Sequence, residues 1–396
     1  MKTTTIAAAV SMALTSTLAV TVSANNGNQP SFENNSMITN VHNRCIVRLN
    51  DDVSKFDVSG KARGMVARAQ AQGFSTAKSD YLYQNSIKGF AVNMSCGDAQ
   101  SSFGGDLDIM SFTPDSVVSI SAPPPGKGPG GGGDGGGSGG QTTPWSVTRV
   151  GGPVEASGYT AWVLDTGIDL DHPDLNVDSC RGFTAFTKGK DANMDDGDGH
   201  GTHVAGTIAA LDNGIDVVGV AANATVVPVK VLDSRGSGTV SGVIAGIDHV
   251  AANASAGDCA NMSLGGGANT AIDDAVKAAA QNSGAYFVIA AGNDGRDANG
   301  SSPARANGNR IFTISAVDSN DRIASWSNYG NPPVDYAAPG VSILSLRKGG
   351  GTTTLSGTSM ASPAACAVVM LKNGNPSTSG TASNDPDGNP DPIISM

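Results

Sequence analysis

Four polar side chains in the second half of the chain stand where apolar runs meet glycine and small residues. Asp165 ends the run at residues 160–164 and precedes Thr166-Gly167. His200 lies in Gly199-His200-Gly201-Thr202-His203-Val204-Ala205-Gly206-Thr207, Asn293 in Ala290-Ala291-Gly292-Asn293, and Ser359 in Ser356-Gly357-Thr358-Ser359-Met360-Ala361-Ser362-Pro363. A hydroxyl, an imidazole, a carboxylate and an amide are the parts of acyl transfer: nucleophile, base, orienter of the base and oxyanion donor. The apolar run 364–371 behind Ser359 reads as a buried helix. The unpaired N–H groups and dipole at its start favour negative charge developing beside the serine.

Positioning those groups requires a scaffold, and the run of patterns supplies one. Strand-like apolar stretches fall at residues 160–164, 225–232, 260–264, 286–291, 311–317 and 341–346, with helix-like stretches at 200–211, 238–254 and 270–283. Near-continuous apolar strands alternating with helices predict an α/β fold, a three-layer α/β/α arrangement around a mainly parallel buried sheet. In such sheets, sites gather beyond the C-terminal strand ends. Upstream, strands at 45–49, 87–92 and 117–120 with a helix within 51–72 predict a small α+β unit sharing one sheet. Residues 123–140 are Pro-Pro-Pro followed by a glycine tract that buries nothing, which marks a linker.

The expected organisation is a secretory signal at 1–24, an α+β unit at 25–122, the linker, a main domain at 141–372 and a polar tail at 373–396. Lys2, the apolar stretch 6–20 and Val22-Ser23-Ala24 carry the signal. The tail is rich in Gly, Pro, Ser, Asn and Asp, and loop or disorder is expected there. A net charge of −11 argues against a nucleic-acid partner or an anionic membrane surface. Beyond the signal, no apolar run is long enough to span a bilayer, so the expected product is extracellular, soluble and monomeric. Five cysteines leave at least one unpaired; if cleavage separates the two units, Cys45–Cys96 and Cys180–Cys259 are the economical pairs and Cys366 a buried thiol.

Taken in chain order, Asp-Thr-Gly-Ile-Asp, Gly-His-Gly-Thr-His-Val-Ala-Gly-Thr, Ala-Ala-Gly-Asn and Ser-Gly-Thr-Ser-Met-Ala-Ser-Pro resemble the subtilisin-like serine peptidases across residues 141–371. The resemblance implies Ser359 as nucleophile, His200 as base, Asp165 as its orienter, and the Asn293 side chain with the Ser359 N–H as oxyanion donors. His203 is then structural, and His172 and His249 are surface or packing residues. Asp169 and Asp171 read as turn residues. An aspartic-peptidase reading of Asp165-Thr166-Gly167 fails because no second such motif occurs.

The resemblance also implies protein or peptide substrates, held as an added strand between Gly236-Ser237-Gly238 and Ser263-Leu264-Gly265, with Ala291-Gly292-Asn293 walling the specificity pocket. Glycines there imply broad or apolar preference, and Asp294 shifts it toward basic residues. A structural Ca²⁺ is implied at Gln141, Asp174, Asn213 and the carbonyls of Leu211, Ile215 and Val217, and a separate, second metal position at Asp335. The N-terminal unit, with Lys88-Gly89-Phe90-Ala91, resembles the family's inhibitory propeptide, which makes the chain a zymogen that frees an N-terminus near residue 140. A secreted binding protein that keeps the fold without catalysis is the competing class; it has no need of all four chemical groups.

Overall fold

The computed structural model describes residues 41–120 and 140–396. The expected signal and the linker up to residue 139 lie outside them. The N-terminal unit builds β1 (Cys45–Leu49), α1 (Val58–Ala71), β2 (Ser79–Tyr83), β3 (Gly89–Val92), α2 (Cys96–Phe103) and β4 (Ile109–Pro114). The strands pair antiparallel in the order β2-β3-β1-β4. Side-chain alternation gives this sheet two apolar faces. Val47, Leu49, Phe90 and Val92 pack with Met65 of α1 and Phe103 of α2, and Cys45 bridges to Cys96. Ile46, Tyr83 and Ala91 turn the other way, into a core shared with the rest of the chain.

The run at 117–120 is a strand, β5 (Val117–Ser119), but not of that sheet. It pairs antiparallel with β8 (Ser237–Thr239). The pattern of alternation predicts a strand without predicting its partner, and here the partner lies more than 100 residues downstream.

The main body carries β6 (Thr160–Asp165), α3 (His200–Ala209), β7 (Thr225–Lys230), β8, α4 (Val240–Asn253), β9 (Cys259–Met262), α5 (Thr270–Ser283), β10 (Tyr286–Ala290), β11 (Ile311–Val317), β12 (Val334–Pro339), β13 (Ile343–Leu346), β14 (Thr352–Leu355), α6 (Thr358–Leu371), β15 (Ser377–Thr381) and β16 (Pro392–Ser395). Among the described residues the central sheet has ten strands, running β15-β16-β12-β11-β10-β9-β6-β7 and on to short edge strands at 176–177 and 183–184. Every pairing is parallel except β15 with β16. Ala161 and Val163 face α3 and α6, while Trp162 and Leu164 face α4 and α5. Both faces are therefore covered, which is why these strands read as unbroken apolar runs.

Three expectations need correction. The run 341–346 does not join the sheet; β13 forms a hairpin with β14, and β12, whose Asp335 and Tyr336 interrupt its apolar character, takes the place in the sheet. The tail is ordered, because Ile393 and Ile394 of β16 bury completely beside β12 and β15 covers its outer edge. The second disulfide joins Cys259 to Cys366, and Cys180 is the free, exposed cysteine. Cys259 and Cys366 face each other in the core between β9 and α6, whereas Cys180 sits in the surface turn Ser179–Arg181.

The N-terminal unit docks on α4 and α5 through polar groups as well as apolar ones. The Asp248 carboxylate accepts the backbone N–H groups of Gln84, Asn85 and Ser86 at 2.9, 2.7 and 2.7 Å. The Tyr83 hydroxyl donates to the Ser241 carbonyl at 3.0 Å. Asp115 accepts from the Ser241 N–H at the start of α4 at 2.9 Å, a helix terminus where a carboxylate is favoured. Among the described residues no helix is long and apolar enough to cross a membrane.

Candidate active site

Asp165 ends β6 and His200 opens α3, so the carboxyl end of a central strand meets the start of a helix. The approach is close: a Cβ at Gly201 would sit 2.0 Å from the Gly167 carbonyl oxygen, so only glycine lets the first turn of α3 lie against the Asp165 loop. His200 Nδ1 hydrogen-bonds the two Asp165 carboxylate oxygens at 2.8 and 3.0 Å. Both groups are buried. Burial pulls the imidazole down, but the Asp165 charge and hydrogen bond outweigh it and hold His200 above the usual histidine range. His203 behaves oppositely. Its Nε2 meets the Ile343 carbonyl at 3.0 Å, and burial with the neighbouring His200 pushes it down to about 3.

Ser359 lies in the first turn of α6, which is buried almost throughout. Its hydroxyl donates to the Ser263 carbonyl at 3.2 Å, while the Ser263 hydroxyl donates to the Ser359 carbonyl at 2.9 Å. This reciprocal pair pins the helix start to the segment after β9. His200, Ser359, Met360, Leu355 and Ile120 line one cavity of about 430 Å³. Asn293 follows β10, and its Oδ1 accepts both the N–H and the hydroxyl of Thr358 at 2.9 Å. The carboxamide orientation is thereby fixed, with Nδ2 on the side toward Gly357 and the helix start.

The segments expected to hold substrate come together on a strand of the chain itself. Ser119 exchanges two backbone hydrogen bonds with Gly265, each 3.0 Å, and Ile120 donates to the Gly236 carbonyl at 2.9 Å. Ser237 and Gly238 pair with Ser119 and Val118. Gly236 has φ +70°, and a Cβ there would come 2.7 Å from Ile120 Cδ1, so its glycine makes room for the incoming side chain. Leu264 points into the core. Ala291, Gly292 and Asn293 line a second cavity of about 330 Å³ with Gly265 and Gly266. Asp294 at its edge is paired with Arg296 at 3.0 Å, which offsets the negative charge expected to favour basic residues.

Gln141, Asp174, Leu211 and Val217 are brought together, and within the same loop Asn213 Oδ1 accepts the Ile215 N–H at 3.1 Å. The Gln141 side chain donates to the carbonyls of Leu211 and Val217, and its N–H to the Gly214 carbonyl. Asp174 is fully buried; its Oδ2 accepts the Val217 N–H at 3.4 Å and its Oδ1 has no hydrogen-bond partner. Burial pushes this carboxyl up to about 7. An orphaned buried carboxylate oxygen among amide and carbonyl oxygens fits a hard cation such as Ca²⁺. A half-turn of the Gln141 amide adds its own oxygen to the set. Among the described residues no three His, Cys, Asp or Glu gather around a metal position, so the cradle is rich in carbonyls rather than charge. Asp335 belongs elsewhere, on β12, where it accepts the Thr313 N–H at 2.9 Å and burial pushes it up to about 6.

Two groups near the site were not singled out from the sequence. Asp196 accepts the N–H groups of Asp198, Gly199 and Thr202 at 3.0, 2.8 and 2.9 Å and the Thr166 hydroxyl at 2.8 Å, tying the loop before His200 to the loop after Asp165. It hides in an acidic run, Asp195-Asp196-Gly197-Asp198, that reads as a solvated turn. Lys230 is fully buried at the end of β7. A lone lysine within the apolar run 225–232 was the available signal.

Comparison with known proteins identifies the family. The sequence model of the subtilase family matches residues 157–384. Alkaline serine exoprotease A of Vibrio alginolyticus is 47% identical over 218 residues, 55% of this chain and 39% of that protein, so the match spans well under half of the relative. Alkaline serine protease ver112 of Corniculantispora psalliotae is 35% identical over 336 residues, 81% of this chain and 77% of that protein. A cold adapted subtilisin-like serine proteinase of known crystal structure superposes with a TM-score of 0.56 at 38% identity, covering 63% of this chain and 97% of that one. With more than half of its length matched by the family and its three-layer fold shared with a solved member, the chain belongs to the subtilase family of subtilisin-like serine peptidases.

Proposed function

We propose that the protein is a secreted serine endopeptidase, made as a self-processed zymogen and steadied by calcium, that cleaves proteins with broad or apolar preference. The observation that carries this reading is the buried Asp165–His200 pair sharing a cavity with Ser359, beside an asparagine whose oxygen is already committed to Thr358. In the reaction, Ser359 Oγ attacks the substrate carbonyl carbon while His200 Nε2 takes the hydroxyl proton. Asp165 holds the Nδ1–H tautomer and balances the imidazolium. The oxyanion is met by Asn293 Nδ2 and the Ser359 N–H at the start of α6. Collapse breaks the C–N bond as His200 returns the proton to the leaving amine. A water, activated by the same imidazole, then releases the acid from the acyl-enzyme.

The zymogen reading is supported by β5, which lies extended between 237–239 and Gly265 as a substrate strand would. Asp174, the Gln141 amide and the carbonyls of the loop at 211–217 would hold calcium, whose charge would offset the buried carboxylate; no chemical step uses it. Mass spectrometry of the secreted wild type beside Ser359→Ala, with and without a chelator, tests the proposal. Wild type is expected to lose the N-terminal unit and Ser359→Ala to keep it. Identical uncleaved masses would favour the non-catalytic class, and identical cleaved masses would assign the trimming to another peptidase.

A further inference from the structure

We propose that Lys230 is a positioning residue for the Asp165–His200 pair, a buried ammonium ion that clamps the turn after the aspartate to the loop that leads into the histidine's helix. The inference rests on the serine-peptidase reading above and adds a residue to it.

Lys230 stands opposite Asp165 in the parallel pairing of β7 with β6. Its Nζ donates to the Thr166 carbonyl at 2.6 Å and to the Asp195 carbonyl at 3.1 Å, with the Asp191 carboxylate 3.6 Å away. Both bridged segments carry catalytic geometry onward. The Thr166 N–H donates to Asp165 Oδ1 at 2.7 Å, and the Thr166 hydroxyl both donates to Asp196 and accepts from the Gly201 N–H at 3.0 Å. Asp195 precedes Asp196, the residue that gathers the N–H groups on either side of His200. Two backbone carbonyls and a nearby carboxylate are donors of the kind a metal cation takes; here a lysine of the chain supplies the cation and three N–H donors.

A charge placed this deep is expensive unless its surroundings repay it. Burial draws the ammonium down from its usual range, and Asp191, Asp196 and Asp195 oppose that. An apolar side chain at position 230 would pack well but leave the Thr166 and Asp195 carbonyls without this partner, on both sides of the loop junction that fixes His200. The charged groups around the junction are Asp165, Asp191, Asp195, Asp196, Asp198 and Lys230, and of these Asp165, Asp198 and Asp196 hold His200 above the usual histidine range against its burial.

The test is made on the mature enzyme obtained from the full chain, counted by titration with a fluorophosphonate so that only molecules with a working Ser359 enter the rate. Lys230→Met is expected to lower kcat per titrated site at least about 10-fold, with KM within about twofold, because the pair is misplaced and substrate contacts are not. It should also move the acid limb of kcat/KM to higher pH by about half a unit, since losing a cation leaves the carboxylates freer to favour imidazolium. Lys230→Gln keeps amide donors and drops the charge. It should recover most of kcat while the acid limb stays displaced. In the Ser359→Ala background, which needs no maturation, the His200 Nδ1–H resonance gives the same titration independently, and Lys230→Gln should raise its midpoint. A wild-type rate per site and unmoved midpoints, with only yield or melting temperature reduced, would make Lys230 a structural residue and overturn the proposal. A wild type that neither labels nor cleaves peptides would instead defeat the peptidase reading.

Discussion

His200 and His203 are three positions apart on one helix and are driven in opposite directions. Both are buried, so both lose the hydration that favours imidazolium. His200 regains it from Asp165 and stands above the usual range; His203 faces a carbonyl and another histidine and falls to about 3. Of the two, only His200 has a carboxylate partner that favours the imidazolium. The same logic of prior commitment applies to Asn293, whose oxygen is held by Thr358 and whose Nδ2 is thereby aimed. Asn293→Ala is expected to reduce kcat roughly 100- to 1,000-fold with little change in KM, because the lost donor acts on the oxyanion and not on bound substrate. Steady-state kinetics on a peptide substrate checks it, and a loss confined to KM would remove Asn293 from the oxyanion role. At this scale the sequence was legible wherever chemistry and glycine coincide, as at Asp165, His200 and Ser359. It was silent on Lys230 and Asp196, whose importance lies in carbonyl and N–H partners that no residue type advertises.

Elements place these residues by ending where they do. β6 stops at Asp165, β10 stops before Asn293, and α3 and α6 begin at His200 and just before Ser359. All four termini lie at the carboxyl end of a parallel sheet, the geometry that strand–helix alternation implies. What alternation could not supply was partnership. β5 has a strand's sequence but is ordered by the groove, and β16 is ordered by β12 despite a tail composition typical of loops. Polar composition reports the outer face of an edge strand, not the burial of the two isoleucines behind it. The loop at 211–217 packs little of its own surface, with Ile215 exposed and Asp174 beside it left with an orphan oxygen, which is where the proposed ion would act. Chelation is therefore expected to lower the melting temperature of the mature protein. Calcium at about 100 times its dissociation constant should restore roughly 2.7 kcal/mol. Scanning calorimetry on wild type and Asp174→Asn checks the assignment. The variant should show little response to either treatment, and an equal response in both would place the ion elsewhere.

At the scale of the molecule, two apolar cores on opposite faces of one sheet must hold Ser359 and Asp165 in register although nearly 200 residues separate them in sequence. One bridge crosses that span directly. Cys259 begins β9, next to β6, and Cys366 lies about two turns beyond Ser359 on α6, so the disulfide fastens the helix that carries Ser359 to the strand beside that of Asp165. The expected cleavage between the two units made Cys180 the economical partner for Cys259, because depth within the fold is invisible in a count; Cys180 is on a surface turn and Cys366 is fully buried. Closing a loop of 107 residues restricts the unfolded chain, and removing the bridge should lower stability by about 2–5 kcal/mol. For a body of this size that corresponds to a fall of roughly 5–15 °C in melting temperature. Cys259→Ala with Cys366→Ala, made in the Ser359→Ala background to prevent autolysis and followed by thermal unfolding, measures it. Because the reciprocal hydroxyl-to-carbonyl bonds between Ser263 and Ser359 anchor the helix start independently, the same pair of substitutions in the active enzyme should leave kcat at 25 °C within about twofold. A large loss of kcat without a loss of stability would mean that the bridge, and not the Ser263 contacts, sets the position of the nucleophile.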